Sequence, residues 1–178
     1  MQRIHEICPG CGVQLPAVAG PTHRYIGASA ACWALYAALN VGEPSMAHGP
    51  LAPLLIDAYA AQHPGLPSDQ SIQSVAVHLL TLYGVLERGA GVESVLWLRT
   101  RGLRSGRTPK HARFHWLEPP AMAALGAVTV ADIVAAPSPQ ARGAAADRYV
   151  QAVWAAWRAC HAQQLARWYE QFVLSDRL

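Results

Sequence analysis

Residues 144–173 read AAADRYVQAVWAAWRACHAQQLARWYEQFV, and this stretch decides the fold class. Val150, Trp154, Trp157, His161, Leu165, Trp168 and Phe172 recur at alternating spacings of three and four, with neither proline nor glycine between them. That is the pattern of one helix face turned towards a core. An unbroken helix from about Ala144 to Val173 is expected. His161 takes a place on the stripe that an apolar residue normally holds, while Cys160 beside it reads as a small apolar filler.

Working back from this helix, the same periodicity marks three more. Ser29 is placed to cap a helix to about Asn40, with Cys32, Leu35, Tyr36 and Leu39 on its apolar face and Cys32 in its first turn. A second runs from about Pro50 to His63 and is stopped by Pro64-Gly65. Asp57 interrupts its apolar sequence, so this carboxylate either faces solvent or has an interior partner. A third runs from Ser68 to about Arg88, bordered by His78 and ended by Gly89 and Gly91. Thr129 caps a brief helix through Val134, which Pro137-Ser138-Pro139 closes. Residues 92–120 are less regular and fit either a short helix followed by extended chain or a hairpin. The reading is all-α: a four-helix up-down-up-down bundle with an N-terminal zinc-knuckle arm and an irregular insertion between helices three and four. Without internal repeats or a long linker, residues 1–178 form one domain. Its parts are an arm (1–27), helices one to three (28–91), the insertion (92–140) and the long last helix (141–175).

Composition agrees with close-packed helices. Of 178 residues, 52% are apolar and 14% charged, about a fifth are alanine, and 14 Gly and 13 Pro punctuate the helices. Such a chain buries a core, which excludes a disordered tail, and it has no run of ~20 uncharged apolar residues for a membrane span. The net charge of +3 is concentrated in Arg99, Arg101, Arg104, Arg107, Lys110 and Arg113, with no acid between them. This run is a solvated loop or a contact for a small-molecule or acidic partner. Few aromatics are interleaved for base stacking, so nucleic-acid binding ranks low.

The four cysteines are the more specific signal. The N-terminus lacks the apolar core of a secretory signal, which points to a cytoplasmic, reducing setting. There Cys8-Pro9-Gly10-Cys11-Gly12 reads as a zinc knuckle, a tight turn that aims two sulfurs at one ion. In an up-down bundle, Cys32 at the start of helix one and His63 at the end of helix two share the pole next to this arm. Cys8, Cys11, Cys32 and His63 thus compose a closed Cys3His site for zinc. His78 and His161 lie roughly 13 and 18 Å down from that pole at ~1.5 Å per residue, and are candidates for a second, catalytic ion with Asp57, His63 or His23 as third ligand. His5, His48, His111 and His115 read as surface residues.

Several phrases, in this order, resemble an uncharacterised bacterial domain-of-unknown-function family: the C-P-x-C-G start, His23-Arg24-Tyr25, Asp57-Ala58-Tyr59 through Gln62-His63-Pro64, and Val77-His78-Leu79. The resemblance implies a family but no activity. A looser one, through His161 in a final helix, is to DinB/YfiT-like bundles, which implies a metal held by histidines between helices and, in some members, thiol-dependent transfer. Two functions follow. The first is a zinc-binding helical protein whose ion ties the arm to the bundle. The second is a metal-dependent transferase or hydrolase using His78 and His161, with His23 or Arg24 near the substrate.

Overall fold

The computed structural model describes residues 4–41, 49–104 and 113–175. Arg107, Lys110, His48 and His111 lie outside the described residues, as does the side chain of Arg104. The fold is mostly helical with one small sheet. Strands β1 (His5–Ile7) and β2 (Gln14–Pro16) pair antiparallel, Glu6 opposite Leu15, and carry the knuckle at their tip. Helices α1 (Ala30–Val41), α2 (Leu55–Gln62), α3 (Asp69–Leu86), α4 (Val95–Arg104), α5 (Met122–Leu125), α6 (Val130–Val134) and α7 (Pro139–Tyr169) follow in chain order.

Local chemistry sets the helix starts. Cys32 N–H donates to Ser29 Oγ at 3.2 Å, and Ser71 N–H to Ser68 Oγ at 3.1 Å, so both serines cap as their positions predicted. Thr129 and Asp132 form a reciprocal capping box at α6. Pro139 behaves differently from expectation: Ser138 Oγ accepts from Ala141 N–H at 3.2 Å, and Pro139 sits in the first turn of α7, where its missing N–H costs nothing. The proline read as a stop is a start, and the last helix begins five residues before Ala144. It ends in a wider turn, Glu170–Leu174, that continues the buried stripe through Phe172 and Val173.

The undecided segment resolves as helix followed by extended chain where it is described. A single 3-10 turn (Val92–Ser94) leads into α4, and residues 114–121 run without regular structure. Arg99, Arg101 and Arg104 are therefore helical. Val95, Trp97, Thr100 and Gly102 make α4 a weak helix by propensity; packing on α3 stabilises it instead. The expected set of four helices changes accordingly. α3 packs against α2, α4 and α7, while α1 packs against α6 and β2 and meets α2 through Tyr36 stacked on Tyr59 at 3.9 Å between ring centres. No described helix is long and apolar enough to cross a membrane.

The core centres on α7, where Tyr149, Val150, Val153, Trp154, Trp157, Leu165 and Trp168 are buried. α2 is held against it by polar bonds as well as packing. Trp157 Nε1 donates to the Ala61 carbonyl at 3.0 Å. The fully buried Gln62 accepts from Tyr149 Oη at 3.0 Å and donates to the carbonyls of Leu125 and Val128 at 2.5 and 2.9 Å. Its amide thereby joins α2, α7 and the α5–α6 loop at the end of α2 that presents His63. Replacing Gln62 by leucine strands three polar groups, each worth about 1–3 kcal/mol when left unpaired. Gln62→Leu is expected to lower the urea midpoint far more than Tyr149→Phe, which removes one hydroxyl and leaves two of these bonds in place.

Candidate metal centre

The knuckle is shaped by its backbone. Gly12 N–H donates to the Cys8 carbonyl at 2.8 Å and Cys8 N–H to the Val13 carbonyl at 2.9 Å, which closes the turn around the two sulfurs. Gly12 adopts φ +73°, a left-handed conformation that disfavours any side chain. Gly10 is required by proximity: a Cβ there would lie 2.5 Å from His63 Cδ2 and 2.8 Å from the Gly27 carbonyl oxygen. The arm then docks on the start of α1. Glu6 Oε1 accepts from Ala31 N–H at 3.0 Å, and Ser29 N–H donates to Cys8 Sγ at 3.4 Å. Both acceptors meet the positive end of the helix.

Cys32 comes from the first turn of α1 and His63 from the cap of α2. The ligand atoms of Cys8, Cys11, Cys32 and His63 all lie within 4.8 Å of one another. All four residues are buried, at 0, 3, 0 and 0% exposure respectively. Cys11 Sγ is 4.0 Å from Cys32 Sγ, and Cys32 Sγ is 3.5 Å from His63 Nε2. Zinc–sulfur bonds of ~2.3 Å and zinc–nitrogen bonds of ~2.0 Å at tetrahedral angles set S···S edges near ~3.8 Å and S···N edges near ~3.5 Å. The spacing is far too long for a disulfide, whose sulfurs lie ~2.05 Å apart. The donor set fits a tetrahedral ion and leaves no position for a fifth group.

The surroundings orient these ligands. His63 Nδ1–H donates to the Tyr59 carbonyl at 2.8 Å, so Nε2 faces the sulfurs with its lone pair. The Tyr59 hydroxyl donates to Cys32 Sγ at 3.6 Å, and burial with the neighbouring Cys32 charge keeps that phenol protonated well above its usual range. Held by the protein alone, the three thiols compete. Hydrogen bonds from Cys11 and Cys32 drive Cys8 far down, and Cys32 is driven far up by Cys11, Cys8 and burial. Cys11 is drawn down by Cys32 but pushed up to about 11 by Cys8 and burial. Thiolates buried this close repel one another, and a bound cation would offset that repulsion.

The other candidates fall elsewhere. His78 Nδ1–H donates to Asp57 Oδ1 at 2.7 Å, whereas His161 Nε2–H donates to the Glu118 carbonyl at 2.8 Å and its ring tilts against Trp157. They belong to separate networks, and among the described residues neither joins a group of three or more candidate metal ligands. Arg99 also grips Asp57 through Nε to Oδ1 at 3.0 Å and Nη2 to Oδ2 at 2.6 Å, so a cation already occupies that carboxylate. Asp57 is thus the partnered interior charge, fully buried between α2, α3 and α4.

His23 packs edge-on to Tyr25 and against Trp33, and Arg24 is exposed; neither approaches the Cys3His group as a ligand. Cys160, expected beside the stripe, faces outward, as do His5 and His115. The basic run is partly turned inward. Arg99 holds Asp57, Arg101 Nε donates to the Val173 carbonyl at 3.4 Å, and buried Arg113 donates to the Gly102 carbonyl at 3.3 Å. Sequence spacing does not mark Tyr59 or Glu6 as neighbours of the cysteines, and it places Arg99 in a basic loop rather than on Asp57. The signal for Arg99 was Asp57 itself, a carboxylate in an apolar helix that needs a cation from somewhere.

No curated protein and no solved structure matches the chain. A family model matches residues 6–158, from Glu6 beside the knuckle to Arg158 in α7, and the chain belongs to that family, described as a family of unknown function (DUF5946).

Proposed function

We propose that the protein is a zinc-binding helical domain in which Cys8, Cys11, Cys32 and His63 hold one ion that fastens the N-terminal arm to α1 and α2. The observation that carries this reading is the buried Cys3His group with all ligand atoms within 4.8 Å. Four protein ligands and no open position favour a structural ion over a catalytic one, which keeps a site for water or substrate. Three thiolates and Zn2+ leave one negative charge. The Ser29 N–H, the Tyr59 hydroxyl and the N-terminus of α1 face it. In the cytoplasmic setting expected from the sequence, the thiols stay reduced and available to the ion. The reading assigns the protein no reaction, and its cellular role rests on what the stabilised bundle presents.

Protein purified without chelator is expected to contain one zinc per chain by elemental analysis. Cobalt substitution should give the intense near-ultraviolet thiolate bands and visible bands of a tetrahedral site. Cys8→Ser is expected to lose both metal and thermal stability; an unchanged melting temperature with no bound metal would sink the reading. Because the ion binds the folded chain, stability measured in zinc buffers should rise by about 1.4 kcal/mol per tenfold increase in free zinc above the dissociation constant.

A second prediction touches no ligand. Gly10→Ala forces His63 and the Gly27 segment away from the knuckle, so it should weaken zinc affinity at least tenfold in competition with a chromophoric chelator. Pro9→Ala, at the exposed neighbouring position, should leave the affinity unchanged.

A further inference from the structure

We infer that the cavity between α3 and α4 is a binding site for a small anion-bearing molecule, one that presents a carboxylate or a phosphate, with His78 and Arg99 as its recognition groups. The cavity measures about 310 Å3 and is lined by Tyr25, Gln70, Gln73, Ser74, His78 and Arg99 among others. That volume is near the lower end of the ~300–1,000 Å3 range of ligand pockets, which suits a small molecule rather than a polymer.

The polarity of the cavity follows from Asp57 behind it. The carboxylate is fully buried and satisfied by three donors, so it presents no negative charge to the cavity, and among the described residues no other acid lines the space. Its partners Arg99 and His78 both line the cavity, and each keeps one nitrogen uncommitted to the protein among the described residues. Arg99 spends Nε and Nη2 on Asp57 and the Pro53 carbonyl, the latter at 3.0 Å, which leaves the Nη1 edge with two N–H groups unpaired among the described residues. His78 gives its Nδ1–H to Asp57, so in the neutral ring Nε2 carries a lone pair that accepts from a ligand hydroxyl or a protonated phosphate oxygen, and it donates to an anion when the ring is protonated.

Gln73 and Ser74 precede His78 by five and four residues on α3, and their side chains make no hydrogen bond to the protein among the described residues. Arg99, Gln73 and Ser74 supply the donors of the cavity, with His78 Nε2 beside them, and an ion pair that joins three helices backs the set. Such a set favours an anion, which accepts from the guanidinium edge, the amide and the hydroxyl at once. A metal ion is disfavoured, because the guanidinium already occupies the carboxylate. No cysteine lines this cavity, so anion binding here is independent of metal binding at the Cys3His group.

The test is a titration of the zinc-loaded full chain with inorganic phosphate and, separately, with succinate, followed by 1H–15N spectra of the His78 ring, the Gln73 side chain and the Ser74 amide. Saturable, single-site shifts at these groups are expected with one or both probes. Saturation by phosphate alone assigns the headgroup to a phosphate ester, and saturation by succinate alone assigns it to a carboxylate. Gln73→Glu places an acid at the solvent-facing wall, keeps the fold, and should weaken binding by about tenfold or more. The inference is overturned if neither probe saturates, if Gln73→Glu binds as tightly as the parent, or if a second equivalent of zinc shifts His78 instead.

Discussion

Three thiols and an imidazole drawn together in the interior impose the constraint on which the rest of this structure depends. Taken out of water, Cys8, Cys11 and Cys32 repel one another when ionised, and burial together with the neighbouring sulfurs drives Cys11 and Cys32 up while Cys8 is driven down. An apolar substitute at these places would bury as well. The chain instead commits a hairpin tip, a helix start and a helix end to one point, and shapes each around it with Gly10, Gly12 and the Tyr59–His63 bond. Such local choices are wasteful for packing alone and coherent for a dication.

α2 is the element through which this point communicates with the core. Along its eight residues it offers Asp57 to α3 and α4, Tyr59 to α1 and the cluster, Gln62 to α7 and the loop after α5, and then His63 as the cap. Nearly every residue of it is buried, so it has no solvent face in the ordinary amphipathic sense. Alanines at 58, 60 and 61 let neighbouring segments approach on several sides. So short a helix has little stability of its own in water. Its conformation is set by what surrounds it.

The parts legible in the sequence are those whose determinants are local. Caps and periodicity place the ends of α1 and α3 within two residues and the starts of α2 and α7 within five, and cysteine spacing with the helix-end position of His63 draws the four ligands to one place. What escaped depends on partners far along the chain. Arg99 looked like one charge in a basic loop because its carboxylate lies 42 residues away. His161 looked like a ligand because it broke an apolar stripe, whereas the Glu118 carbonyl, 43 residues distant, accounts for it. Pro139 differs for another reason: a proline between two helices fits the stop of one or the start of the next, and its role is visible once Ser138 is seen capping forward, four residues past the end of α6 at Val134.

The placement of the knuckle also bears on the order in which the molecule assembles. Cys8 and Cys11 belong to one tight turn, while Cys32 lies 21 residues beyond Cys11 and His63 another 31 beyond Cys32. The first pair can present two sulfurs before any long segment has been ordered. The remaining two ligands arrive by closing successive loops, whose entropic cost grows slowly with length. An ion captured early at the tip would turn two searches through open chain into searches for a fixed target, so that the amino-terminal turn would serve as the template on which the helices are gathered.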